Sequence, residues 1–472
     1  MDTSINSRPL LQSSETDSDF DIDSQKEIGP PVDASNDVTV VSKDARSSFK
    51  SREPIDRFNA SYFVFYLLGT TALLPWFFFI TAEEYWMFKF RDLSNNSTSA
   101  SNRSELQACF ISYVSIASTV PSTIALLIIP FVMHKISLNI RMVVTLGFML
   151  IFFIMTTVLV MVDTDNWQNE FFIFTLVSVV LLNIASSIFQ CGVFGVVGKF
   201  PPQYITATVS GQALGGMLAA LAEIGSLWLG ASPTSSAFVY FLTADVFILI
   251  SLLSFIFLSK SKFYSYYVMN TTSASENYQY EQLPRSIEDS PIVRHISYSD
   301  ILKKIWIYGL SVWLCFTITL SIYPSVTGLV SSTRGHSRWT DIYFVPVICY
   351  LLFSVNDYVG RLLAGYLRWP KEKPWLVFFL STLRLVFIPF FMLCNAQPRH
   401  HLRVMVHSDY IFIIMTCIFG LTNGYFVNIT MLSTPKIVDV HEIEVASSMM
   451  AAFLGVGLAF GSTLGLILIE LL

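Results

Sequence analysis

The chain has 472 residues, of which 53% are hydrophobic and 13% charged, with a net charge of −5 and a mean hydropathy of +0.56. Soluble domains carry roughly 25% charged residues, so a water-soluble globule of this composition would expose large apolar patches. The negative balance gives no ground for nucleic-acid binding, and most of the acid sits in the N-terminal tail near Glu15 to Asp23.

Residues 1 to about 57 are rich in Ser, Asp and Pro and lack apolar periodicity, which predicts a disordered cytoplasmic tail. The first fifty residues are polar, so no cleavable signal peptide is expected. A membrane-spanning helix needs about 20 apolar residues. Such runs lie at 58–81, 109–133, 141–162, 170–195, 204–230 and 237–258. After a polar cytoplasmic linker near 259–303, more lie at 304–330, 341–367, 374–395, 409–432 and 444–471. The expected fold is an all-α polytopic membrane protein of about eleven transmembrane helices. A six-helix bundle (58–258) would precede a five-helix bundle (304–472). The six cysteines lie in or beside apolar runs without metal-ligand spacing and read as buried thiols.

Lys and Arg near the span ends set orientation. A cytoplasmic N-terminus puts Lys135, Arg141, Lys199, Lys260, Lys303 and Lys304 inside, and eleven spans put the C-terminus on the luminal or extracellular side. Three sequons, at Asn95, Asn96 and Asn102, crowd the first outer loop and favour a glycosylated face there.

Charged and amide groups inside the apolar runs are the informative minority, because each charge costs about 2.5–3.5 kcal/mol at mid-membrane on insertion scales. Asp357 and Arg361, in FSVNDYVGRLLAG, are one helical turn apart and can pair on one face. The pair keeps spare acceptors and donors that suit a neutral ligand with hydroxyls or ring nitrogens; the competing reading is a structural pair between helices. In GTTALLPWFFFITAEEYW, Pro75 interrupts the helical hydrogen bonding and Trp76 offers a face for stacking, or else packs. Gln190 could read the edge of a heterocycle or serve as interhelical glue. Gly192, Gly195 and Gly198 recur every three residues and permit close packing. Glu223 stands alone within the fifth span, as a proton-coupling group or a cavity-lining acid. Glu442 and Glu444 open the last span, where capping is the default role.

These motifs together resemble the equilibrative nucleoside transporter family. The matching pieces are Leu73-Leu74-Pro75-Trp76 with Ile80-Thr81-Ala82, Gln190 with its Gly-rich sequel, Ser210-Gly211-Gln212, Asp357-x-x-Gly360-Arg361, Asn423-Gly424-Tyr425 and Pro435-Lys436. They run in order from about residue 57 to the end. The acidic tail and the run Glu84 to Lys89 look most like the lysosomal-type member.

The resemblance implies a fold similar to the major facilitator superfamily with one helix fewer, rocking around a midplane site. It implies nucleosides, with nucleobases as a further class, as substrates, no cofactor, and a site of Leu73, Trp76, Ile80, Gln190, Tyr323, Asp357 and Arg361. Two positions depart from the family pattern: Phe77 stands where an Asn usually follows Pro-Trp, and Ser354 where an Asn often precedes the aspartate, with Asn356 as a relocated amide. The dileucine Leu10-Leu11 resembles an endolysosomal sorting signal read by adaptors, although Asn6 replaces the usual upstream acid. The expected membrane is therefore lysosomal or late endosomal, with the plasma membrane as the alternative. In an acidic lumen Glu223 and Glu444 become candidates for proton linkage. No HExxH, Ser-His or paired-Asp arrangement points to an enzyme, and no ligand set points to a metal.

Overall fold

A computed structural model describes residues 54–91, 105–132, 136–229, 232–268, 297–335, 337–371, 373–397 and 401–472. The sequons at Asn95, Asn96 and Asn102, the Leu10-Leu11 pair, most of the tail and the middle of the linker lie outside them, as does the side chain of Ile80.

The described chain is almost entirely helical. The helices before residue 269 are α1 (Ala60–Thr81), the short α2 (Glu83–Lys89), α3 (Glu105–Val132), α4 (Leu138–Met161), α5 (Gln168–Val197), α6 (Pro202–Leu229) and α7 (Pro233–Ser259). Those after residue 296 are α8 (Tyr298–Ile322), α9 (Leu352–Leu367), α10 (Pro374–Leu383), α11 (Phe387–Met392), α12 (Asp409–Ile437) and α13 (Ile443–Glu470). Wider π-type turns at Trp339–Tyr343 and Val345–Leu351 lead into α9, and a single tight turn at Arg384–Val386 joins α10 to α11.

Lipid cannot hydrogen-bond an exposed backbone, so spans must be helices or closed barrels. Ten helices among the described residues are long and apolar enough to cross a membrane, and the Ile116–Val132 part of the 28-residue α3 is apolar over a shorter length. Span ends agree with the hydropathy limits to within a few residues. The largest shift is at α8, which begins at Tyr298 inside the expected linker. Its first turns carry Asp300, Lys303 and Lys304, charges that hydropathy scores as loop but a helix end tolerates. Ser297 caps that end, its hydroxyl accepting from the Asp300 N–H at 3.4 Å.

Apolar side chains on the helix exteriors remain exposed, among them Val144, Ile151 and Val158 along α4 and Phe257 on α7, as a hydrocarbon surround allows. The run Glu84–Lys89 builds part of the core. Trp86 is buried, stacked over Phe79 at 5.8 Å, and its indole N–H donates to the Phe79 carbonyl at 3.2 Å. Lys89 donates to the Val162 carbonyl at 2.6 Å.

Helix pairs that approach to backbone contact include α1 with α6, α9 with α12 and α8 with α13. A Cβ on Gly211 of α6 would overlap the Tyr66 carbonyl of α1, and one on Gly424 of α12 would overlap the Asp357 carbonyl of α9. Only glycine admits so close an approach. The Gly192-Gly195-Gly198 stripe packs α5 on α4 and α13: added Cβ atoms would meet Met142, Glu444 and Ile443 respectively.

Candidate functional site

Asp357 and Arg361 pair as their spacing predicts, Nη2 to Oδ2 at 2.9 Å, with side chains only 7% and 5% exposed. Arg361 also reaches out of its half of the chain. Its Nη1 donates to the Val209 carbonyl of α6 at 2.6 Å and lies 3.5 Å from the Gln212 Oε1. Asn428 of α12 donates to the Arg361 carbonyl at 2.6 Å and to Thr206 of α6 at 3.3 Å. The pair thus occupies the seam between the N-terminal-half helix α6 and the C-terminal-half helices α9 and α12. The rings of Tyr66 of α1 and Tyr358 of α9 meet edge-on at 6.4 Å.

The second oxygen of Asp357 accepts from the Asn423 Nδ2 at 2.7 Å. Asn423 in turn joins a second buried cation that the sequence reading passed over. Arg384 is 2% exposed. Its Nη1 donates to the Cys315 carbonyl at 3.0 Å and to the Cys315 Sγ at 2.6 Å, and lies 3.4 Å from the Asn423 Oδ1. Its Nη2 donates to Thr319 at 3.0 Å and to the Phe419 carbonyl at 3.3 Å, and the guanidinium lies 5.0 Å from the Phe419 ring. The signal was present as a cation inside an apolar run. Asp245, buried on α7 and accepting from Thr157 at 2.6 Å, is a second intramembrane charge of the same kind.

The expected α1 face divides. Leu73, Trp76 and Phe77 are half-buried, and the rings of Trp76 and Phe77 meet edge-on at 5.0 Å. Ile80 lies near the end of α1. The two departures from the family pattern converge: a Cβ on Gly216 of α6 would meet the Phe77 ring at 3.0 Å and the Ser354 hydroxyl at 3.2 Å. A bulky ring and a short hydroxyl therefore meet on one glycine. Asn356 does not take over as a relocated amide. Its Nδ2 donates to the Leu352 carbonyl of its own helix at 2.8 Å, because it points away from Ser354. Tyr323 stacks on Phe353 at 4.1 Å. Glu223 of α6 stands within electrostatic range of Tyr323 and Cys349.

Gln190 is 5% exposed on α5. The Ser186 hydroxyl one turn earlier donates to the Ala72 carbonyl at 2.6 Å and ties α5 to α1 next to Leu73. Among the described residues the Gln190 Nε2, Gln212 Nε2, Arg361 Nε and Ser210 Oγ are buried without a hydrogen-bond partner. An unpaired buried polar group costs about 1–3 kcal/mol, so such atoms mark places where water or a polar ligand belongs.

The two acids opening the last span part company. Glu442 caps: its carboxylate accepts from the Asp439 N–H at 3.1 Å and from Lys304 at 2.8 Å. Glu444 instead crosses to the N-terminal half, 3.0 Å from the Arg141 Nη2 and 3.7 Å from the Lys199 Nζ. These ties lie at the end of the molecule where α1 begins.

The family model described as Nucleoside transporter matches residues 176–469. Rat equilibrative nucleoside transporter 1 is 34% identical over 453 residues, covering 89% of this chain and 98% of the relative. The chain belongs to the equilibrative nucleoside transporter family. Rat equilibrative nucleoside transporter 3 is 33% identical, with 87% of this chain and 89% of the relative covered. Human equilibrative nucleoside transporter 2 is also 33% identical, with 89% and 99% covered. The fold resembles the proton:xylose symporter XylE of the major facilitator superfamily, with a TM-score of 0.56 at 12% identity, 86% of this chain and 88% of that one being covered. Within this equilibrative nucleoside transporter chain, the matched region contains Gln190, Asp357, Arg361, Arg384 and Asn423.

Proposed function

We propose that this protein carries nucleosides across a membrane by facilitative alternating access. The observation that carries the reading is the Arg361 guanidinium, shared between its own Asp357 and the Val209 carbonyl of the opposite half. The salt bridge lies within α9 while the bond to Val209 crosses the movable seam, so rocking the halves apart frees the Arg361 Nη1 donor for a substrate hydroxyl or ring nitrogen. Gln190 and Gln212 would add amide donors, and Trp76 and Tyr323 aromatic walls. A neutral nucleoside is matched by hydrogen bonds without a counter-ion.

The test is flux of radiolabelled uridine and adenosine into liposomes holding the purified protein, with and without a pH gradient. Saturable flux that a pH gradient leaves unaltered is the expected result. Flux that appears only with the gradient moves the assignment to a proton-coupled carrier, with Glu223 and Glu444 the acids to replace first. No flux of either solute rejects the substrate class.

The six spans expected before residue 269 and the five expected after residue 296 act in this reading as the two rocking bundles. The end where α1 begins faces the cytoplasm, consistent with its Lys and Arg content, and the Glu444 pairs with Arg141 and Lys199 hold that end shut. Replacing Glu444→Ala should open it. Ser447, buried where α13 meets Gly198 of α5, reports the change as Ser447→Cys. An impermeant maleimide applied from the cytoplasmic side should label it several-fold faster in the Glu444→Ala background; equal rates reject the clasp.

Residence in a lysosomal or late endosomal membrane extends the reading and rests on Leu10-Leu11. A fluorescent fusion with both leucines changed to Ala should shift to the plasma membrane, and an unchanged distribution removes the motif.

A further inference from the structure

Consecutive helices α6 and α7 both lean on α1 and diverge from one another, leaving a cavity of about 440 Å³ between the three. That volume lies in the range of ligand pockets, roughly 300–1,000 Å³. The cavity lies apart from Asp357, Arg361 and Gln190, none of which lines it. Its deep wall is formed by Thr70, Leu74 and Phe78, one α1 face at helical spacing, with Gly215 and Leu218 of α6 beside them. Its mouth is bordered by Ala222, Val239 and Thr243, all exposed. Leu221 and Leu242, on the outer surface beside these, are 49% and 44% exposed. In a bilayer those side chains face hydrocarbon, so the mouth opens to lipid and not to water.

The lining is graded along its length. Ser235 and Ser236 lie in the first turn of α7, at the helix end where a lipid headgroup would sit, whereas Val239, Tyr240 and Phe247 continue it into the membrane. Hydroxyls at one end and apolar groups along the rest match a molecule with a polar head and a hydrocarbon tail. No charged side chain lines the cavity, which disfavours a free anion or a polar solute such as the transported one.

The Phe77 ring lies behind the α6 wall of this cavity, beside both Gly215 and Gly216. A Cβ on Gly215, which lines the cavity, would meet Phe77 at 3.5 Å, and one on Gly216, which faces Ser354, would meet the same ring at 3.0 Å. We propose that the α1–α6–α7 cavity is a lipid site that holds one acyl chain of a bilayer phospholipid. The chain fills the space that the divergence of α6 and α7 leaves.

The experiment uses the full chain in phosphatidylcholine liposomes containing a small fraction of phosphatidylcholine with a mid-chain diazirine. After photolysis, adducts are mapped by mass spectrometry. Adducts on Leu218, Ala222 and Val239 should exceed, several-fold per residue, those on Val144, Ile151 and Val158. The latter are 61%, 65% and 58% exposed and face lipid on α4 away from the cavity. Gly225 lines the cavity, and an added Cβ there meets nothing within 4 Å. Gly225→Leu should therefore fill the cavity and remove most of the excess while leaving the α4 adducts as they were. If Gly225→Leu also changes the α4 pattern, Ala222→Met is read by the same comparison. Cavity adducts no denser than those on α4, or an excess that the filling variant leaves intact, overturn the proposal.

Discussion

Arg361→Ala should abolish uridine and adenosine uptake, lowering it by on the order of a hundredfold, which is about 2.7 kcal/mol. The truncation removes the partner of Asp357 and the donor to the Val209 carbonyl together and leaves a buried carboxylate whose remaining side-chain partner among the described residues is Asn423. Arg361→Lys should retain a fraction of uptake, since a compact ammonium can face Asp357 but cannot reach both partners in one plane. The double variant Asp357→Ala/Arg361→Ala separates the structural reading from the functional one. If the pair only joins helices, removing both charges relieves the uncompensated acid and uptake returns with folding. If Arg361 meets substrate, detergent-extracted yield and melting behaviour recover while uptake stays lost. Wild-type uptake by Arg361→Ala would take this residue out of the site.

Arg384→Ala should unfold the C-terminal half before it alters substrate preference. Leaving a buried acceptor without its donor typically costs about 1–3 kcal/mol, and several such losses together are a large share of the roughly 5–15 kcal/mol that stabilises a typical domain. The guanidinium gathers acceptors from two helices, Cys315 and Thr319 of α8 and Phe419 and Asn423 of α12, around the α10–α11 turn that carries it. Truncation leaves the carbonyls of Cys315 and Phe419 without this donor and frees Asn423, which orients Asp357. The expected outcome is a sharp fall in folded yield and thermal midpoint in detergent. Arg384→Lys should be intermediate, because one ammonium cannot span these acceptors. A midpoint equal to wild type would reduce Arg384 to a bystander and uncouple it from the Asp357 geometry.

The two residues differ in how far the sequence could reveal them. Asp357 and Arg361 lie one turn apart, so their pairing is local geometry and follows from the helix repeat alone. The spans were legible for the same reason: hydrocarbon demands about 20 apolar residues in a row, a property of contiguous sequence. The glycine stripe on α5 and the cap at Glu442 were equally local. Arg384 was visible as a cation in an apolar run, but its acceptors lie 35 to 69 positions away along the chain. Glu444 reads as a cap by position, yet its partner Arg141 is 303 residues distant. Phe77 and Ser354 are separate oddities in the sequence and neighbours only across Gly216.

What the sequence by itself determined was the helical membrane class, the approximate spans and the ion pair within one helix, because each depends on residues within a turn or a contiguous run. Only the tertiary structure decided which carbonyl Arg361 reaches, which half Glu444 holds, and where α6 and α7 part to leave a lipid-facing cavity. Those outcomes depend on how helices with similar apolar faces choose their neighbours, and that choice is set by side-chain shape and close backbone approach at a few small residues, information no single stretch of sequence contains.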